Sequence, residues 1–380
     1  MIKIAHILMS YGDPNQHYSS NFFEQISVKS NETTQLVFAS NIFKNKNKVK
    51  VLSIGTIDGL EMGFTSLKFL FKTLFFDDEF KDVTKKFKLK QKIKFALKWK
   101  YLLKSNIDII HIHHFQTVSE TILKYFKLKG IPVVISFRGT DLIIRSEDED
   151  FYNKIKYVSH IHTISYYMKS LFKDKSLNIP VSVIYRSIDK NPSVQIVTQN
   201  DTDITRIISV GRLVWIKGHF YLLDALYNLK KEGFNFCLDI YGEGDLRSFY
   251  EFRIKQLGLE ANVFLKGFID NNLLKEEYES YDLAIQPSFY EALSNGLLDL
   301  ISHNIPCVIS NQGGMMELIE PGVNGEVFDI NQPTTLEDAI IRCLNLDKNI
   351  VTNYNSSFLE DFSSEVELDK FEKLYNSLIE

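Results

Sequence analysis

The chain has 380 residues, a net charge of −4, 44% hydrophobic residues and 24% charged residues. That length suits two domains, and the composition is that of a globular protein. The acidic balance excludes a chain that binds nucleic acid as a whole, so any basic patch must be local. The cysteines Cys237, Cys307 and Cys343 are too sparse for a disulfide framework or a metal site. Cys237 and Cys307 lie in apolar runs and read as core thiols, which fits a reducing cytoplasm.

MIKIAHILMS opens the chain as a strand and lacks the longer apolar core and cleavage site of a signal peptide. Strand-like runs follow at TQLVFAS, VKVLSI, DIIHIH, PVVISF and HIHTIS, then at TRIISVGR, NFCLDIYG, NVFLKG, DLAIQPS and PCVIS. Helix-length segments separate them, among them Thr117–Leu128, His219–Lys231, Asp245–Leu257 and Asn295–Ser302, and Ser364–Ile379 reads as a final helix. No run of about 20 apolar residues is present to span a membrane. Strand–helix alternation predicts parallel sheets covered by helices, and two such series predict two doubly wound domains. The polar segment Asp189–Asp203, with Pro192, marks their boundary. The division is 1–195 and 196–363.

Between Lys68 and Lys104 twelve lysines face four acids, interleaved with Phe, Leu, Ile and Trp99. KIKFALKWKYLLK within it has an amphipathic helical pattern. Two readings stand side by side: a solvated helix whose lysines lie along an apolar face, or a surface that meets anionic lipid or a lipid-linked acceptor.

Four stretches of the second half carry chemistry. Gly211 and Arg212 end a strand, and Lys217 follows five residues after Arg212. Ligands gather at the carboxyl ends of parallel strands, and a guanidinium with an ammonium suits a diphosphate, although such a pair in a loop is otherwise simply solvated. Gly242 and Gly244 form a Gly-x-Gly turn between a strand and a helix, open to ligand approach or to packing. In QPSFYEALSNGLLDLI, Glu291 sits on a loop and Ser294 can cap the next helix. The first-turn N–H groups near Asn295 and Gly296 then form an anion site, and Asp299 lies about one turn inside with its carboxylate leaning back toward the same ligand. Two carboxylates beside a phosphate site would hold sugar hydroxyls; the plainer alternative is an acidic loop residue and an ordinary helical Asp. Gly313 and Gly314 form a further turn at a helix start that reads as another backbone-amide anion site, while Glu317 reads instead as a first-turn helix stabiliser. In the first half, His111, His113 and His114 cluster at a strand end, but alternation puts His114 on the opposite face, so no metal is expected there.

In order, GRLVWIKG, IYGEGDLR, NVFLKGF, QPSFYEALSNGLLDLI, IPCVISNQGGMMELI and PGVNGEVF resemble the family 4 retaining glycosyltransferases. The resemblance implies the GT-B fold, two Rossmann-like domains with a cleft between them, and a final helix of about 364–380 crossing back to the first domain. It implies that Arg212 and Lys217 hold the donor diphosphate, that Glu291 contacts the donor sugar and that Asp299 contacts the ribose hydroxyls. The family pattern is a Glu, seven residues and a second Glu; here the second position holds the shorter Asp299. DIIHIHHF and PVVISFRGTDL are similar to first-domain motifs and imply His113, Arg138 and Asp141 on the acceptor side. GDPNQHYSSN, with Ser19, Ser20 and Asn21, stands where the family has a glycine-rich loop.

The expectation is therefore transfer of a sugar from a nucleotide-sugar donor to a glycan or lipid-linked acceptor, with neither metal nor other cofactor. A bacterial surface polysaccharide such as lipopolysaccharide is the implied context, in the cytoplasm or on the inner face of the membrane. Two other classes stay open: a nucleotide-sugar epimerase or hydrolase on the same fold, and a degenerate nucleotide-binding subunit that supports a partner enzyme.

Overall fold

A computed structural model describes residues 2–11, 33–42, 51–54, 64–139, 148–173, 177–188 and 203–380. The chain divides into two compact units. The first comprises Met1–Thr163, Phe172–Ile184 and Leu368–Glu380; the second comprises Ile164–Leu171 and Tyr185–Glu367. The boundary segment Asp189–Asp203 lies, apart from Asp203, outside the described residues.

The first unit is a seven-stranded sheet in the order β3-β2-β1-β4-β5-β6-β7. Its strands are β1 (Ile2–Tyr11), β2 (Thr33–Ile42), β3 (Val51–Ser53), β4 (Ile109–Ile112), β5 (Val133–Phe137), β6 (His160–Thr163) and β7 (Val181–Val183). Every pairing is parallel. The central strands β4, β5 and β6 are buried along their whole length, as parallel strands covered on both faces must be. The final helix, Ser364–Asn376, contributes Leu368, Phe371, Leu374 and Tyr375 to the same core as Ile4, Val37, Ile109 and Val134.

The second unit is a six-stranded parallel sheet in the order β10-β9-β8-β11-β12-β13. These strands are β8 (Thr205–Val210), β9 (Phe236–Tyr241), β10 (Val263–Gly267), β11 (Leu283–Gln286), β12 (Cys307–Ser310) and β13 (Gly325–Phe328). In both sheets the strand order reverses once, between β1 and β4 and between β8 and β11. Loops leaving neighbouring strands there diverge to opposite sides and leave a crevice, where such folds bind ligands.

Several local expectations change. The amphipathic segment splits into Leu89–Lys98 and Lys100–Lys104, because Trp99 leaves helical geometry (φ −101°, ψ 10°) with its ring fully buried. Helix Glu120–Leu128 starts after a tight turn at Phe115–Thr117, and the expected Asp245 start falls at Arg247. Cys237 is partly exposed, whereas Cys307 and Cys343 are buried; all three are free. Among the described residues no helix is long and apolar enough to cross a membrane.

Candidate active site

In the second unit the site residues leave the two strands that flank the reversal. β8 runs into Gly211 and Arg212, and the Gly211 N–H donates to the Tyr241 carbonyl at 2.9 Å. Gly218 adopts φ +65°, and a Cβ there would collide with the Pro287 carbonyl oxygen. Only glycine combines that conformation with that approach. The Phe289 N–H donates to the Ile216 carbonyl at 2.8 Å, which closes the β8 loop on the β11 loop. This contact seats the Lys217 ammonium on Glu291 Oε1, with both side chains largely covered. Ser288 Oγ donates to the same oxygen at 3.4 Å. Arg212 is exposed, and its guanidinium makes no hydrogen bond or ion pair among the described residues. Gly242 and Gly244 press on the same loop: Leu213 donates to the Glu243 carbonyl at 2.9 Å, and Leu246 donates to the Leu213 carbonyl at 3.0 Å.

The helix Asn295–Ser302 begins at a strained turn. Ser294 has φ +84° and ψ 96°, and its Oγ accepts from the Leu297 N–H at 3.4 Å. A non-glycine residue in that region costs roughly 1–3 kcal/mol, a kind of strain that clusters at functional sites. Asn295 and Gly296 fill the first turn, where backbone N–H groups have no intrahelical partner. A Cβ on Gly296 would meet nothing closer than Val210 at 3.8 Å, so packing does not demand glycine there. Asp299 pairs with the Lys275 ammonium at 3.5 Å. Lys275, from helix Asn271–Glu277, was no part of the sequence reading.

The Gly313–Gly314 turn departs from expectation. It opens a 3-10 helix, Gly313–Glu317, and not an α-helix. Gly313 has φ +71°, and a side chain on it would collide with the Glu291 carbonyl. The Gly314 N–H donates to that same carbonyl at 2.9 Å. That amide is therefore committed to the protein, and the turn buttresses the Glu291 loop. Glu317 does not stabilise its own first turn: its carboxylate accepts from the N–H groups of Tyr166 (2.9 Å) and Tyr167 (2.6 Å) and from the Tyr185 hydroxyl (2.8 Å).

In the first unit, His113 follows β4, and Arg138 follows β5. Asp141 and Ser19–Asn21 lie outside the described residues. His111 and His113 share one face, with ring centroids 4.0 Å apart, and His6 joins them from β1. The bonding direction follows from one carbonyl. The Ile184 carbonyl can only accept, so His162 Nε2 carries the proton at 3.0 Å. His162 Nδ1 therefore accepts from Ser136 Oγ, Ser136 Oγ accepts from His111 Nε2, and His111 Nδ1 accepts from the Tyr375 hydroxyl, each at 2.7 Å. His6 Nδ1 lies 2.9 Å from His113 Nε2, and its Nε2 is bonded to Gln35. Burial, aided by the nearby Arg138 charge, holds these rings neutral: His6 is lowered to about 4, His162 to about 3, and His111 and His113 well below the ordinary value. Possible metal-ligating nitrogens of His6, His111 and His113 lie within 4.8 Å of one another, so this trio is the group that could hold a cation among the described residues. The His111 and His113 rings stack, His6 is tilted to both, and hydrogen bonds link the same rings to one another and to Tyr375, Ser136 and Gln35.

Residues 193–355 match the family Glycosyl transferases group 1, and residues 80–191 match Glycosyltransferase Family 4. An uncharacterized glycosyltransferase of Methanocaldococcus jannaschii is 30% identical over 287 residues, covering 67% of this chain and 72% of that protein. The chain is a family 4 glycosyltransferase. The transferase has the GT-B fold of solved relatives. The apo form of the lipopolysaccharide outer core galactosyltransferase WaaB superposes with a TM-score of 0.71 at 18% identity, over 99% of each chain. Anabaena HepE in complex with UDP and glucose superposes with a TM-score of 0.68 at 16% identity, over 99% of this chain and 100% of that one.

Within the transferase, sequence reasoning missed four contributors: Lys275, His6, Gly218 as the close-contact residue, and the strained φ of Ser294. Gly218 had a readable signal, a glycine directly after the candidate lysine. The other three depend on partners or dihedrals that no local pattern encodes.

Proposed function

We propose that the transferase moves a sugar from a nucleotide-sugar donor to a glycan or lipid-linked acceptor, with retention at the anomeric carbon, in the assembly of a bacterial surface polysaccharide. The observation that carries this reading is the seating of Lys217 on Glu291 at the β8–β11 reversal, beside exposed Arg212 and the start of helix Asn295–Ser302. When the bond from the anomeric carbon to the diphosphate breaks, negative charge develops on the leaving oxygen. Arg212, Lys217 and the first-turn N–H groups supply fixed positive potential there, which favours the transition state over the ground state. The acceptor oxygen forms the new bond, and its proton passes to the departing phosphate. Glu291 takes the sugar hydroxyls and Asp299 the ribose hydroxyls. His113, Arg138 and Asp141 serve the acceptor side.

The protein's own cations fill the role a divalent metal would otherwise take, so this reaction needs no metal or other cofactor. Hexosyl transfer in lipopolysaccharide synthesis fits the solved structure of the lipopolysaccharide outer core galactosyltransferase WaaB. Work on lipid-linked acceptors would place the enzyme at the inner face of the membrane. The exposed Leu67, Phe71 and Phe75 on helix Phe64–Phe76, beside Lys68 and Lys72, support docking on an anionic surface there.

The test is a melting-temperature screen against UDP-, GDP- and ADP-sugars, followed by release of nucleoside diphosphate with and without acceptor, because only ligands of the folded state raise its melting temperature. One nucleotide class should stabilise the chain. Arg212→Ala and Lys217→Ala should remain folded and lose about 10²–10³ in turnover. EDTA should leave turnover largely unchanged. Release of nucleoside diphosphate that is no faster with acceptor than without it would point to a hydrolase. Binding without any turnover would favour a nucleotide-binding subunit.

A further inference from the structure

Helix Phe64–Phe76 has two faces suited to different uses. Leu67, Phe71 and Phe75 recur every fourth residue and form one row. Phe71 and Phe75 are 58% and 60% exposed, with ring centroids 5.0 Å apart. The adjoining row, Lys68 and Lys72, turns toward a cavity of about 780 Å³, which falls within the range of roughly 300–1,000 Å³ typical of small-molecule sites. Phe69, Leu102, Phe126 and Ile131 form its apolar wall, and Lys104 adds a third ammonium group from the neighbouring helix.

Lys104 rests over the Phe69 ring, 5.3 Å from its centroid, but among the described residues no carboxylate offsets the three cations. Lys68, Lys72 and Lys104 make no ion pair among the described residues. Asp77, the acid lining the cavity, is already engaged by the Phe80 N–H (2.9 Å), the Tyr125 hydroxyl (2.9 Å) and Lys129 (3.3 Å). Like charges one helical turn apart repel, so an anion bound between them gains on two counts. The cavity also lies away from the sugar chemistry. Ile107 and Ile131 lead into β4 and β5, which places it at the amino-terminal edge of the sheet, opposite the strand ends that carry His113 and Arg138.

We infer that this cavity binds an anionic phospholipid, with its phosphate among Lys68, Lys72 and Lys104 and its acyl chains on the apolar wall. The lipid is a docking partner and not the sugar acceptor. The inference rests on the membrane reading above for the source of the lipid. A free phosphate would leave the apolar wall unused. A choline headgroup would bring a cation to an ammonium cluster. A second copy meeting this face by two-fold symmetry would set lysines against lysines.

The experiment is calorimetric titration of the full chain with short-chain phosphatidylglycerol below its micelle concentration, with short-chain phosphatidylcholine and glycerol phosphate as controls. Vesicle sedimentation is run in parallel, on phosphatidylcholine with and without phosphatidylglycerol. The variants are Lys72→Glu/Lys104→Glu, which alters the cavity, and Phe71→Ser/Phe75→Ser, which alters the exposed row; circular dichroism checks that both are folded. Wild type should bind monomeric phosphatidylglycerol saturably, and the lysine variant should bind it at least about tenfold more weakly, a difference of about 1.4 kcal/mol. The phenylalanine variant should keep monomer binding and lose vesicle binding. Vesicle binding without monomer binding overturns the cavity assignment and leaves the membrane reading standing. Equal binding of glycerol phosphate, or no effect of the lysine variant, overturns it as well.

Discussion

Gly296 is a residue that packing leaves unexplained, since a methyl group there would meet only Val210 at ordinary contact distance. If bound diphosphate is what needs the space, Gly296→Ala should fold normally, gaining up to about 1 kcal/mol from the better helix propensity of Ala. It should also weaken binding of nucleoside diphosphate. Unchanged affinity in calorimetry would remove the helix start from the donor site. The two carboxylates should separate in the same titration. Asp299→Ala should cost about 1.5–3 kcal/mol of nucleotide affinity, the range for a hydrogen bond to a charged group, and Asp299→Glu should be tolerated. Glu291→Ala should lower turnover more than nucleotide affinity, because its partner is the sugar; the opposite pattern would reverse the two roles. Arg212, Lys217 and Glu291 could be singled out as candidates because each stands in a loop soon after an apolar strand run, and Asp299 because it lies one turn inside the helix that follows. The pairing of Lys217 with Glu291 was not, since it depends on β8 and β11 being neighbours in the sheet although far apart in the chain. His219 was equally silent. It is buried, neither ring nitrogen finds a hydrogen-bond partner among the described residues, and burial lowers it to about 3. Removing two unsatisfied buried groups relieves a desolvation cost of about 1–3 kcal/mol each, so His219→Phe should raise the urea midpoint. A lower midpoint would mean that ring size, and not polarity, governs the site.

Among the elements, Glu317 does work that its own segment did not announce. Three donors converge on its carboxylate, two of them backbone N–H groups at the start of helix Tyr166–Ser170. Burial and this carboxylate together push the Tyr185 hydroxyl upward in pKa, so the phenol stays a donor. Glu317→Ala should destabilise the chain by about 1–3 kcal/mol and speed amide exchange at Met168–Ser170 more than elsewhere. Uniform exchange across the second unit would argue against a local cap. Strands buried on both faces were readable as apolar runs, which is why β4, β5, β11 and β12 emerged from the sequence. β7 is only three residues long, and β13 carries a glutamate in four, so neither showed a run. The break at Trp99 was hidden for another reason. The helical period of KIKFALKWKYLLK continues through it, so nothing in the pattern marks buried Trp99 as the residue that leaves helical geometry.

At the scale of the whole molecule, the buried histidines set a pH limit. The rings of His6, His111, His113 and His162 stay neutral in the folded chain, lowered below 6.5 chiefly by burial. In the unfolded chain they take up protons near pH 6.5, so below that pH the unfolded state binds more protons. Their contribution to stability is present above pH 6.5 and is lost as pH falls toward 3–4, with a limiting slope of about 1.4 kcal/mol per pH unit for each ring. Denaturant midpoints should therefore drop steeply between about pH 6.5 and pH 4.5; a flat profile would mean that the array is protonated when folded. The same array depends on Tyr375, whose hydroxyl reaches His111 from residues that follow the whole second unit in the chain. Domains usually finish folding in the order in which the ribosome releases them. Here that order is inverted at the last step: the first unit is made early but receives Phe371 and Tyr375 only after Tyr185–Glu367 has been synthesised. Until then the seven strands lack the final helix that covers part of their core, so the pace of translation through the second unit sets how long that apolar seam is exposed to aggregation.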